Sequence, residues 1–330
     1  MIEEELTLDS IDKNLELDLK RYVPLSELKT LTSKWEGEEV TSRTKEEVIN
    51  RLNVLILKHR GEEILDEITQ LVTKYKFAGK CAISWSIPKE ESEEESEEEL
   101  IRTNNFKKYI EQSFINHCET NPFECAIRPP VDDMPRLNRA GWLTDNLLKI
   151  EYIYAGKKKI IEEDYDEPRE IRPTMRSVVL VRLIGDSFVI ECRDNYQTAR
   201  KLHKITSQIL HKDVEIITFS DEDIEAIKRD LNGKKKGARL KRSGGDFDTV
   251  EVTASPILDD LDESPEYNVT FKLKDDEIRE ARFLIPYEAE GKTSEISIKI
   301  NNNGSVWFMS MVPEEVVNYV LSCIKRVKCF

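Results

Sequence analysis

SVVLVRLIGDSFVIECRDNYQTARKLHKITSQIL, residues 177–210, is the stretch that decides the fold class. SVVLVRLIG (177–185) and DSFVIECR (186–193) have strand composition, and they meet at Ile184-Gly185-Asp186-Ser187, a tight-turn sequence. A helix then follows in NYQTARKLHKITSQIL, with Ala199, Leu202, Ile205 and Ile209 on one face. The same grammar returns near the C-terminus. SEISIKI (294–300) and SVWFMSM (305–311) flank the turn Asn301–Gly304, and Pro313 starts a helix carrying Val316, Val317, Val320, Leu321 and Ile324. Segments 177–211 and 294–328 therefore read as two copies of one sheet-plus-helix unit, or as convergent use of a common layout. The expected class is α+β, a small N-terminal helical domain followed by antiparallel sheet-plus-helix units.

Working outward, CAISWSI (81–87), FECAIRP (123–129), NLLKIEYIYAG (146–156), VEIITF (214–219), YNVTFKLK (267–274) and ARFLIPYEA (281–289) also have strand composition. Phe106, Tyr109, Ile110, Phe114 and Ile115 recur at helical spacing, and Ser220 with Asp223 opens a helix through Leu231. KEESEEESEEE (89–99) is low-complexity and self-repelling, a solvated linker. The expected divisions are an acidic leader (1–20), a helical domain (21–80), a strand and acidic linker (81–105), an α+β unit (106–231), a basic linker (232–255) and a second α+β unit (256–330).

The helical domain contains YVPLSELKTLTSKWEGEEVTSRTKEEVINRLNVLILKHR (22–60). Leu25, Leu28, Leu31 and Trp35 lie at helical spacing, with Pro24 suited to a first turn. Thr44 and Glu47 form a capping-box pattern ahead of Val48, Leu52 and Leu55. A further helix runs from Glu62 to Lys76 through Ile64, Ile68, Leu71 and Val72. The polar face of the Thr44 helix begins with Arg43 and Lys45 and continues through Arg51, and at its start unpaired backbone N–H groups and the helix dipole favour phosphate.

Leu-Ser-Glu-Leu-Lys (25–29), a link, and Thr-Lys-Glu-Glu-Val-Ile-Asn-Arg-Leu (44–52) resemble a SAP motif and the helix-extended-helix unit of Rho-type termination factors, matching at Leu25, Leu28, Lys45, Ile49, Arg51 and Leu52. Where that family places a glycine before the lysine, this chain has Arg43 and Thr44. The resemblance implies nucleic-acid contact. The repeated hairpin-to-helix order resembles TATA-box-binding-protein-like folds, a curved antiparallel sheet with helices on one face. Through VPLSELKTLTSKW and VVLVRLIGDSFVIECR the layout is also similar to the centromere protein N family.

Composition bounds the chemistry. At 330 residues with 39% hydrophobic and 35% charged content, the chain is polar but globular, and a net charge of −15 argues against nonspecific coating of nucleic acid. No apolar run reaches membrane-spanning length, and the acidic start does not have the form of a signal peptide, so an intracellular protein is expected, cytoplasmic, or nuclear in a eukaryote. The six cysteines have no CxxC spacing, and Cys125 and Cys192 read as core residues. The histidines at 59, 117, 203 and 211 do not cluster, and His203 reads as a surface residue. Trp85, Trp142 and Trp307 all lie in core-like surroundings. GxxxxGK[ST], GxGxxG, HExxH and GxSxG are absent, and neither a metal nor a cofactor is expected.

Lys228–Arg242, KRDLNGKKKGARLKR, is the strongest electrostatic feature, and its glycines suggest a cationic loop able to track phosphates or a solvated linker. The leading expectation is a non-enzymatic protein that binds DNA or RNA, or joins a protein assembly acting on it. Its contacts would be Arg43, Lys45 and Arg51, with Lys234, Lys235, Lys236, Arg239, Lys241 and Arg242 from the loop. The alternative is an interaction or scaffold subunit without nucleic-acid affinity. A third reading is a metal-dependent nuclease built on Asp186, Glu191 and Arg193.

Overall fold

A computed structural model describes residues 11, 13–59, 61–76, 82–89, 103–161, 169–184, 187–242, 248–271, 276–289 and 292–329. The Gly185-Asp186 turn, most of the glutamate run, residues 1–10 of the leader and residues 243–247 of the basic segment lie outside them. The chain divides into two compact units, one formed by 1–80, Ile285–Ser297 and Phe308–Val327, the other by Cys81–Leu284, Ile298–Trp307 and Lys328–Phe330.

The first unit is led by α1 (Lys13–Tyr22), α2 (Leu25–Glu36), α3 (Lys45–His59) and α4 (Glu62–Lys76). Their apolar stripes close one core: Leu19 from α1, Leu28 and Leu31 from α2, Val48, Ile49, Leu52 and Ile56 from α3, and Ile64, Ile68 and Val72 from α4. Burying each such side chain contributes about 1.5–3 kcal/mol, so this stripe, rather than helix propensity, holds the four together. Gly37 ends α2 at φ 76°, a left-handed cap that a glycine adopts without a Cβ penalty. At the start of α3 the Thr44 hydroxyl accepts from Glu47 N at 3.2 Å, and the Glu47 carboxylate accepts from Arg43 N at 3.1 Å.

The second unit opens with β1 (Ala82–Pro88), α5 (Thr103–His117), β2 (Arg136–Thr144), β3 (Leu147–Ala155), β4 (Lys159–Ile161) and β5 (Arg169–Ile171). There follow β6 (Thr174–Ile184), β7 (Ser187–Arg193), α6 (Tyr196–Leu210), β8 (Val214–Ile216) and α7 (Asp221–Asp230). The remainder is β9 (Lys234–Lys241), β10 (Thr249–Thr253), α8 (Pro265–Thr270), β11 (Glu277–Ala289), β12 (Lys292–Asn301), β13 (Ser305–Phe308) and α9 (Glu314–Lys328); the end of β11, the start of β12 and nearly all of α9 group with the first unit. The protein is α+β. Among the described residues eleven strands form one sheet in the order β10-β9-β11-β12-β13-β1-β7-β6-β3-β2, with β8 paired to β1, while β4 and β5 form a separate ribbon.

Both hairpin-to-helix segments are present, as β6-β7-α6 and β12-β13-α9, and their hairpins share that one sheet with β1 between them. Gly304 allows the second hairpin to turn: it has φ 89°, and a Cβ there would lie 1.6 Å from the Ile217 carbonyl oxygen. On one face α5 and α6 cover the sheet with Ile110, Phe114, Leu202 and Ile209 against Leu148, Ile150, Val179, Val181 and Ile190. Asn195 caps α6 by accepting from Thr198 N at 3.2 Å. Ser220 and Asp223, expected to open a helix, form a capping box at the start of α7.

Several sequence expectations need correcting. YNVTFKLK contributes the short helix α8, where Ser264 caps the first turn and Pro265 occupies it, and FECAIRP is turn and irregular backbone. Cys125 is exposed, whereas Cys192 is buried. His203 is buried on the sheet side of α6, its ring nitrogens 2.9 and 2.7 Å from the hydroxyls of Ser84 and Ser86 on β1. Burial holds it neutral, with its pKa lowered to about 3. Lysines and an arginine around it in sequence suggested surface, but it sits at the 199–202–206–209 apolar spacing of the helix.

Candidate nucleic-acid interface

The basic segment is a β-strand, not a loop. β9 pairs antiparallel with β10 and β11, so its backbone groups are satisfied on both sides and its residues alternate between two faces. The alternation is interrupted by a bulge. Gly237 pairs with Arg282 and Lys235 with Phe283, two steps on β9 against one on β11, so Lys236 is the extra residue. The bulge turns Lys235 onto the same face as Ala238 and Leu240, which is the inner one.

There Lys235 is fully buried. Its ammonium pairs with Glu225 of α7 and lies 3.0 Å from Asp262 Oδ1, with the Tyr267 ring 5.8 Å away. Lys228 joins the same cluster, 2.7 Å from Asp260 and 2.5 Å from Asp262. Burial pulls the Lys228 pKa down, but its hydrogen bonds to Asp260 and Asp262 outweigh that and leave it raised. Lys234 and Lys236 share Asp259, at 2.7 and 3.4 Å, and hydrogen bonding to Lys234 holds the Asp259 carboxyl below its ordinary range. Arg242 faces Asp276 with Nε 3.5 Å from the carboxylate and its guanidinium over the Phe271 ring. The stretch LDDLDE (258–263) neutralises much of the basic run that precedes it.

Arg239 and Lys241 differ. Two residues apart on the outer face of β9, both are exposed, and among the described residues neither has a carboxylate partner. Arg239 lies opposite Glu251 on β10 and Glu280 on β11, and Lys241 opposite Thr249 and Glu277. Glu280 is committed to Lys299 at 2.7 Å and Glu277 to Arg279 at 3.2 Å. Arg282 projects from β11 on this face, beside Gly237, and its buried Nε has no hydrogen-bond partner among the described residues.

In the helical unit, Lys45 donates to the carbonyl oxygen of Lys20 at 2.8 Å, serving the last turn of α1, and burial lowers its pKa. Arg51 grips Glu36 with both Nε and Nη2, at 2.8 and 2.5 Å, and hydrogen bonding to Glu36 raises its pKa. Arg43 is exposed, and among the described residues its guanidinium has no carboxylate partner. The α3 N-terminus is partly self-capped by Thr44 and Glu47, which leaves fewer N–H groups for an anion.

Of the nine expected cations, Lys45, Arg51, Lys234, Lys235, Lys236 and Arg242 face their own chain's oxygens, while Arg43, Arg239 and Lys241 face water. Sequence reasoning also missed Arg282 and Trp307. Trp307 is 39% exposed, contrary to the core reading. The signal was alternation: Val306 and Phe308 point one way, so Trp307 between them points the other.

The Glu191 position gives no metal site. Its buried carboxylate accepts from Trp85 Nε1 at 3.1 Å, Arg182 Nε at 3.0 Å and Arg193 Nε at 2.6 Å. Burial alone would raise its pKa, but Arg193 and Arg182 hold it below the ordinary value. Asp186 lies outside the described residues, and among those described no cluster of three or more His, Cys, Asp or Glu side chains could hold a metal ion. Compared with protein-family models and with curated proteins, the chain matches none.

Proposed function

We propose that this is a non-enzymatic nucleic-acid-binding protein, or a subunit of an assembly built on nucleic acid, that holds phosphates with the outer face of β9. The observation that carries the reading is the split along that strand. Lys234, Lys235 and Lys236 are neutralised by the protein's own carboxylates, while Arg239 and Lys241 stay exposed and unpaired among the described residues. Two cations on one face, with their glutamate neighbours on β11 already committed elsewhere, are complementary to a polyanion despite the net charge of −15. Arg43 supplies a further exposed cation in the helical unit.

The test is a low-salt mobility-shift titration with DNA and RNA, with and without Mg²⁺, comparing the native chain with Arg239→Glu/Lys241→Glu. The reading requires retardation without cleavage, weakened at least tenfold by the double reversal, as expected for two lost phosphate contacts at about 1–2 kcal/mol each. A second reading, an assembly subunit with no nucleic-acid affinity, is favoured by the internal pairing of six of the nine expected cations. It becomes the better account if no probe is retarded at any salt concentration.

A further inference from the structure

We infer that the outer face of β9, β11, β12 and β13 takes single-stranded nucleic acid, with Trp307 stacking on a base and Arg239, Lys241 and Arg282 binding phosphates. This rests on the nucleic-acid reading above and narrows it to one substrate class.

The face is built by strand register. Arg239 pairs with Glu280, and the Lys299–Glu280 ion pair carries the same face onto β12. Asn301 Nδ2 donates to Ser305 Oγ and O at 3.0 and 3.2 Å, tying the two ends of the β12-β13 turn together. Met309 N donates to Ser297 O at 3.0 Å, which pairs those residues and, two steps along each strand, puts Lys299 opposite Trp307. One face therefore carries Arg239 on β9, Glu280 and Arg282 on β11, Lys299 on β12 and Trp307 on β13, across four neighbouring strands. At about 4.8 Å per strand it extends for about 14 Å.

Beside β9 the charges that remain unpaired on this face are mostly positive, while Glu288 and Glu295 are exposed on it toward the other end of β11 and β12. Lys299 and Glu280 cancel, Arg279 answers Glu277, and Arg239, Lys241 and Arg282 have no acidic partner among the described residues. Glu251, opposite Arg239, is the acid on β10 that tempers them. A cationic face bearing one exposed tryptophan matches the two recurrent elements of single-strand recognition, backbone charge and an aromatic platform. A paired duplex keeps its base faces stacked, so a tryptophan on a sheet surface reaches a base only when that base is unpaired.

The test follows tryptophan fluorescence while the full chain is titrated at low salt with an oligothymidine and with a duplex of equal length. The native chain, Trp307→Ala, Trp307→Phe and Arg239→Glu/Lys241→Glu are compared. Oligothymidine is expected to quench the native signal and to bind more tightly than duplex. Trp307→Ala should bind it about tenfold more weakly, while Trp307→Phe, which keeps an aromatic ring, should retain most of the affinity. If Trp307→Ala binds normally while the double reversal does not, stacking is refuted and the phosphate reading stands. Tighter binding to duplex also refutes the inference, and no binding to either probe removes both readings.

Discussion

The two ends of β9 carry similar charge and meet opposite fates. At the Lys234–Lys236 end, a bulge on β9 turns one lysine inward and a facing run of aspartates meets all three; at the Arg239–Lys241 end, the extra residue is Arg279 on β11, β9 keeps its alternation and its cations reach solvent. A basic run in a sequence is therefore not a basic surface. Which lysines remain available depends on strand parity and on the acids that the fold brings opposite them. Glu191 is the mirror image of Lys235, a single buried acid held by Arg182 and Arg193.

The largest expected effects come from breaking the buried nodes. Glu191→Ala removes the buried carboxylate on which two guanidiniums and the Trp85 ring nitrogen converge, and should cost about 3–5 kcal/mol in urea unfolding. Because the folded pKa of Glu191 lies below its ordinary value of 4.5, at about 2, the node's stability is fully present above pH 4.5 and is lost as pH falls toward the folded value. Over that window the native chain should lose stability more steeply than Glu191→Gln, and parallel curves would contradict the ion-pair account. Next, Lys235→Ala should cost about 3 kcal/mol, less than Glu191→Ala because Glu225 keeps part of its hydration. Lys235→Met, which refills the space, should cost less than Lys235→Ala; equal losses would mean that the charge rather than the stem carries the effect.

At the other end of the strand, Arg239→Glu/Lys241→Glu should change stability by no more than about 0.5 kcal/mol while weakening nucleic-acid binding. A large stability loss there would erase the contrast between the ends. Smallest of all, Lys234→Ala should leave the unfolding midpoint unchanged, because both Lys234 and Asp259 are largely in solvent, at 45% and 62% side-chain exposure.

Much of the architecture was readable in the sequence where a local signal was strong. The helix expected over Glu62–Lys76 has those bounds in the structure, and the strands flanking Gly304 and the helix start at Ser220 lie where composition and turn chemistry put them. YNVTFKLK misled because alternation over a few residues competes with a Ser-Pro helix start, and the capping interaction won. The candidate site was less legible. Glycines at 233 and 237 suggested a flexible loop, yet Gly237 lies beside a bulge within a paired strand. The partners of the basic run are not local on either side: Glu225 comes from the preceding helix, and Asp259 and Asp262 from a segment twenty or more residues later. No sequence pattern announces such pairing before the chain is folded.

The salt dependence of binding tests the contrast most directly. Oligothymidine affinity should fall with added salt, and each phosphate contact should contribute about 0.7 to the slope of log K against log salt. Reversing Arg239 and Lys241 to glutamate should flatten that slope by about 1.4, whereas reversing Lys234 and Lys236 should leave it unchanged. A slope that responds to Lys234 and Lys236 but not to Arg239 and Lys241 would contradict the account.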